Sequence, residues 1–171
     1  MTTTQILSDE HKNILKFIEA LDKEAEKLEQ GKEINKEFFI KAIDFIRNYA
    51  DKFHHAKEED ILFKEFSKKA EEGCLHCNPV EQMLFEHEEG RKFVKGMSEA
   101  LEEKNKAKLN ENAKGYVNLL KEHIFKEDNI LYPMADEVLG KQEKAMLVKF
   151  KQVEIKKKND KLKYEKFARS L

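Results

Sequence analysis

Four successive segments of this 171-residue chain place apolar residues at steps of three and four, the spacing of one helical face, and each stripe contains a histidine. The first runs Leu7, His11, Ile14, Ile18, Leu21, Ala25, Leu28, ahead of Gly31 as a C-cap. The second runs Phe39, Ile43, Ile46, Ala50, His54, Glu58, Ile61 until Gly73 breaks it. Asn78-Pro79-Val80-Glu81 supplies an N-cap, a first-turn proline and a capping acid for the third: Val80, Met83, His87, Gly90, Val94, Met97, Leu101. The fourth runs Tyr116, Leu120, His123, Glu127, Ile130, Met134, and Pro133 is expected to end or kink it. Long amphipathic helices with short connections predict an all-α fold, an antiparallel up-down four-helix bundle over 1–140. Gly140 then separates an additional C-terminal helix over 141–171, packed on the bundle or serving as a partner surface, within a single domain. Only 6 Gly and 2 Pro against 39% charged and 40% hydrophobic residues also favour helices over sheet.

The net charge of −1 provides no field that would gather nucleic acid or an anionic membrane. The basic run Lys156, Lys157, Lys158 to Lys163 is interleaved with Asp160 and Glu165 and reads as a solvated helix face. No stretch approaches the ~18 apolar residues of a membrane span. Met1-Thr2-Thr3-Thr4 lacks the pattern of a signal peptide, so a cytoplasmic location is expected. Cys74 and Cys77 could form a redox pair or half of a zinc site, but no second Cys pair completes the zinc ligands, and unpaired loop thiols are expected.

The two halves of the chain repeat one another. Glu10-His11 followed by Lys16-Phe17-Ile18 matches Glu86-His87 followed by Lys92-Phe93-Val94 at an offset of 76 residues. His54-x-x-Lys57-Glu58-Glu59-x-Ile61-Leu62-Phe63 matches His123-x-x-Lys126-Glu127-Asp128-x-Ile130-Leu131-Tyr132 at an offset of 69. The chain therefore reads as two copies of one helical hairpin about a pseudo-twofold axis, with equivalent side chains converging on it.

His54/Glu58 and His123/Glu127 are each four apart, so each pair lies on one helical face, in register with the apolar stripes. Unpartnered buried glutamates would cost several kcal/mol or protonate. Two facing glutamates beside four histidines call for positive charge, which a pair of divalent cations supplies. Two bridging carboxylates and a bridging hydroxide then bring the cluster near neutrality. Mixed imidazole and carboxylate ligands suit iron, manganese or zinc rather than calcium or copper(I).

His11, His54-x-x-x-Glu58, His87 and His123-x-x-x-Glu127, in that order on four helices, resemble the hemerythrin-like (HHE cation-binding) family, and His55-Ala56-Lys57-Glu58-Glu59-Asp60-Ile61-Leu62-Phe63 and Glu86-His87-Glu88-Glu89-Gly90-Arg91 strengthen the likeness. The resemblance covers roughly residues 5–140 and implies a di-iron site with the glutamates bridging and the histidines terminal. Ferritin-like di-iron proteins carry Glu-x-x-His instead, with the acid first and a spacing of three.

Oxygen-carrying members are similar but have a second histidine four residues after the third-helix one, where this chain has Arg91. One iron is then expected to lack an imidazole, leaving a more open coordination sphere, with Gly90 leaving space for O2, peroxide or NO. His55 is either a replacement ligand or a polar residue beside the site, on a face shared with Asp51 and Asn48. A second register, His55 with Glu59, would bring Asp128 into play. The reading is a di-iron protein that binds O2 or a related oxidant for sensing, scavenging or iron handling. A peroxide- or NO-detoxifying enzyme and a metal-free helical interaction module stand as alternatives. No nucleic-acid or membrane partner is expected, and a homodimer stays open.

Overall fold

A computed structural model describes residues 1–73 and 77–171, so Cys74 and His76, and with them any pairing of the two cysteines, lie outside the described residues; Cys77 is exposed. Among the described residues helix is the one regular element, and the chain is a helical bundle. No helix among them is long and apolar enough to cross a membrane.

Local signals mark most helix starts, although Pro79 is the N-cap of the helix from Val80 rather than its first residue, and no capping box forms there. Helix α1 (Thr3–Glu29) opens on a capping box between Thr2 and Gln5 and ends at Gly31, whose φ of +79° suits a residue without Cβ. Asn35 caps α2 (Lys36–Phe45) through the Phe38 amide. Asn78 accepts from the Val80 amide at the start of α4 (Val80–Glu102), and Asn105 caps α5 (Lys106–Lys126).

The second and fourth stripes are not regular α-helices throughout. After α2 the chain passes through π-helical segments Ile46–His55 and Glu58–Leu62 into α3 (Phe63–Glu71). After α5 it passes through a π-helical segment, Glu127–Leu131, into α6 (Tyr132–Val138). The wider i→i+5 turn fits an extra residue per turn and moves the buried face along by one. Leu131, Tyr132 and Ala135 are therefore buried where the 3.6-residue stripe predicts Ile130 and Met134, and Ile130 is exposed. Pro133 does not end the helical run, because it falls in the first turn of α6, where its missing N–H costs little.

The C-terminal segment is two helices rather than one, α7 (Glu143–Lys156) and α8 (Lys158–Ser170). Both pack on the bundle: Met146 and Phe150 of α7 and Tyr164 and Ala168 of α8 are buried in it. Tyr164 donates to Asp44 at 3.0 Å.

The apolar core falls into two clusters. One includes Ile14, Ala50, Phe53, Val94, Leu120 and Ile124; the other includes Leu7, Ile61, Leu62, Met83 and Leu131. Each fully buried large apolar side chain contributes about 1.5–3 kcal/mol of burial free energy, so these clusters carry the stability of the bundle. On each of the four stripes a histidine lies between a residue of one cluster and a residue of the other, as His11 does between Leu7 and Ile14. A polar layer thus crosses an otherwise apolar interior.

Candidate metal centre

His11 comes from α1, His54 and His55 from the end of a π-helical segment, His87 from α4 and His123 from the last turn of α5. Glu58 and Glu127 each open a π-helical segment. All seven side chains are buried. Phe53, His54 and His55 are buried in succession at the end of their π-helical segment, which packs between other helices.

These side chains form two adjoining groups. One donor atom from each of His11, His54, Glu58 and Glu127 lies within 4.8 Å of the others, and the same holds for His55, His87 and His123. Glu127 spans both groups, with Oε2 3.2 Å from His11 Nε2 and Oε1 3.1 Å from His123 Nε2. Glu58 Oε2 stands 3.6 Å from His54 Nε2 and 3.5 Å from His87 Nε2. Its other oxygen accepts from Tyr132 Oη at 2.5 Å.

Carboxylates on the outside orient the rings. Nδ1 of His54 meets Glu10 at 2.9 Å and Nδ1 of His123 meets Glu86 at 2.8 Å. Nδ1 of His11 meets Asp128 at 3.0 Å and Nδ1 of His87 meets Glu59 at 2.7 Å. The first two contacts lie within a half of the repeat and the second two cross between halves. Lys57 and Lys126 donate in turn to Glu10 and Glu86. Such outer carboxylates fix the tautomer of a metal-ligating imidazole. A carboxylate only accepts, so Nδ1 keeps the proton in each neutral ring and Nε2 presents a lone pair inward.

Several of the inward-facing donor atoms lack protein partners. His54 Nε2, Glu58 Oε2 and both Glu127 oxygens are buried with no hydrogen bond, although several stand close to each other. His87 Nε2 and His123 Nε2 approach to 3.1 Å. Buried lone pairs gathered this closely without donors cost free energy, and a cation is the group that satisfies them all at once.

The charges reflect the same crowding. Burial, then the Glu127 charge, pushes the Glu58 carboxyl well above its usual range. Burial opposes the ionisation of Glu127 too, but His123, His11 and His87 outweigh it and hold that carboxyl low. Burial pushes His55 down to about 3, helped by His87, and pushes His54 well down. Burial also works against charge on His123, yet Glu127 and Glu86 raise it to about 9. On Glu86 burial is overcome by His123 and Lys126, which bring it to about 2, whereas Glu10 is raised by burial to about 7 despite Lys57.

A comparison with known families matches residues 2–135 to the hemerythrin HHE cation binding domain. The chain belongs to this family. No curated protein and no solved structure gives a significant match. Membership as an HHE domain makes it a cation-binding fold, and the donors present fit a cation: imidazole nitrogens and carboxylate oxygens, buried, oriented and unsatisfied.

Within this HHE domain the residues expected from the sequence all lie close together; one expectation changes and two open readings take a definite form. Arg91 does not leave one group short of an imidazole, because His55 turns inward through the π-helical segment and joins His87 and His123. His55 does not sit on a polar face; it is buried, with Asp51 Oδ1 at 3.6 Å from its Nδ1. Glu59 and Asp128 are neither rivals of Glu58 and Glu127 nor bystanders, since they hold His87 and His11 from outside. Arg91 instead binds Asp51 and Glu59, the carboxylates behind His55 and His87. Sequence reasoning gave no role to Glu10, Glu86, Lys57, Lys126 or Tyr132. The repeat contained all five positions, four as matched pairs and Tyr132 opposite Phe63.

Proposed function

We propose that the chain holds two iron ions in this buried layer and uses them to meet O2 or a related small oxidant. The supporting observation is the span of Glu127, whose two oxygens have no hydrogen bond, across two adjoining groups of buried donors. His11 and His54 would hold one ion, His55, His87 and His123 the other, with Glu58 and Glu127 between them. Shared between two ions, these donors suit iron, manganese or zinc, and membership of the HHE family favours iron. Along the four stripes the order of the two apolar clusters alternates, which supports an antiparallel up-down arrangement of four helices.

Iron, when bound, supplies the electrons that a small oxidant takes up. The chain's own residues do the rest. The Glu58 and Glu127 carboxylates would offset part of the ion charge. Tyr132 holds Glu58 by a hydrogen bond, and Glu10, Glu59, Glu86 and Asp128 keep the imidazoles of His54, His87, His123 and His11 in the tautomer that offers Nε2. The apolar clusters on either side keep bulk water from the layer. A cavity of about 300 Å³ reaches the layer at His55, His87 and Gly90, giving a small molecule access.

Anaerobic loading with Fe(II) followed by oxygen tests the reading. Near-ultraviolet charge-transfer bands should appear on exposure; reversal by degassing would mean oxygen carriage, and reversal only by dithionite would mean redox chemistry. Iron-loaded protein that is optically unchanged by O2 and by peroxide would contradict it. Rapid peroxide turnover, lost in His123→Ala, would favour the detoxifying enzyme.

A further inference from the structure

We infer that the outer face of α7 and α8 rests on an anionic membrane surface, held by lysines and by three exposed aliphatic side chains. The expectation of no membrane partner rests on the whole-chain charge of −1, which conceals a division. Residues 141–171 hold eleven of the 33 Lys and Arg but four of the 34 Asp and Glu, a net charge of +7, and residues 1–140 carry −8. Three of those four acids are engaged: Glu143 accepts from Thr3, Glu154 pairs with Lys161 at 2.8 Å and Glu165 with Arg169 at 3.6 Å. Lys144, Lys151, Lys156, Lys158 and Lys166 are exposed and have no carboxylate partner among the described residues.

The same face is apolar as well as basic. Met146, Phe150 and Val153 of α7 and Tyr164 and Ala168 of α8 pack into the bundle. On the opposite side of α7, Val148, Lys151 and Ile155 follow steps of three and four, and on α8 Lys158, Leu162 and Lys166 follow steps of four. Val148, Ile155 and Leu162 are each more than half exposed. Aliphatic side chains among ammonium groups suit the boundary of a bilayer, where the chains enter the acyl edge and the cations meet lipid phosphates and carboxylates. A nucleic-acid backbone offers such aliphatic groups nothing. The rings that would stack on a base, Phe150, Tyr164 and Phe167, are buried or half-buried in the bundle. Screening over about 8 Å at physiological salt confines the attraction to the charges nearest the lipid, so the acidic remainder of the chain does not cancel it. Such a contact lies on the surface and needs no spanning helix.

Flotation of the full chain with vesicles tests this, using equimolar phosphatidylserine and phosphatidylcholine against phosphatidylcholine alone. The chain should float with the anionic vesicles only, and added salt should weaken the binding. Lys151→Gln and Lys158→Gln should each cost about fivefold in affinity, the loss of one cation near the lipid. Ile155→Ser combined with Leu162→Ser should cost about tenfold and leave the salt dependence as it was. All four positions are exposed, so helical circular dichroism should not change. No flotation with the anionic vesicles would overturn the inference, as would binding that neither the lysine nor the serine variants weaken. Binding to duplex DNA in place of the vesicles, or association of the chain with itself in their place, would assign the face to another partner and overturn it too. None of these outcomes bears on iron, so the di-iron reading stands or falls separately.

Discussion

His55 stacks on His87 with ring centroids 3.7 Å apart and planes 14° from parallel. Two rings from different helices take this arrangement because the segment Ile46–His55 is π-helical, which lets adjacent His54 and His55 serve different donor groups.

His55→Ala should therefore remove one donor group while sparing the other. Iron per chain, measured after anaerobic loading and desalting, should fall from two to one, with the helical circular dichroism retained. An unchanged iron count would show His55 to be a spectator.

The outer carboxylates make a second prediction. Glu10→Gln and Glu86→Gln should each weaken metal binding by about 10–100-fold, the usual cost of losing an outer-shell partner. Because the repeat gives Glu10 and Glu86 the same task, the two losses should be alike within a few-fold. Competition titration with a chelator measures both; a loss for one and none for the other would break the symmetry argued here.

Gly90→Leu should slow the arrival of O2 at the iron-loaded protein. The first added carbon has room, at 3.6 Å from Tyr116 and 3.8 Å from Leu119 and Leu120, so the fold should persist and the remaining carbons should fill the cavity. Stopped-flow rates should drop with iron content unchanged, and Gly90→Ala should fall between the two.

Acid should loosen the C-terminal helix. Burial works against ionisation of Asp44, but Lys163 and the Tyr164 hydroxyl outweigh it and hold the carboxyl below its ordinary value of 3.8. A lowered folded-state pKa means a contribution that is complete above that value and disappears as pH falls through the lower one. Protease cleavage within 158–170 should thus stay slow from neutral pH down to about pH 4 and quicken below it. Asp44→Asn should be cleaved faster at neutral pH; equal rates there would count against this docking contact.

Much of this was legible in the sequence. The four histidine-bearing stripes and the two His-x-x-x-Glu pairs identify the helices and the buried donors, because burial and ligation both demand one face. The repeat also contained the outer partners Glu10, Glu86, Lys57 and Lys126. Their role stayed hidden because each reaches its partner on another helix, Glu10 to His54 and Glu86 to His123, contacts that no local pattern announces. The place of His55 was left open and the exposure of Ile130 misread for one physical reason. A 3.6-residue period cannot follow a π turn, and nothing in residue identity announces where the register widens. The break at Lys157 that divides the last helix into two carries no Gly or Pro signal either.

The most direct test is anaerobic titration of the full chain with Fe(II), with bound metal counted and Mössbauer spectra recorded after oxidation. Saturation at two irons per chain, with the ferric pair magnetically coupled, is the predicted result. Saturation at one iron, or two uncoupled irons, would mean that Glu127 does not join the two groups, and the account of the centre would be wrong.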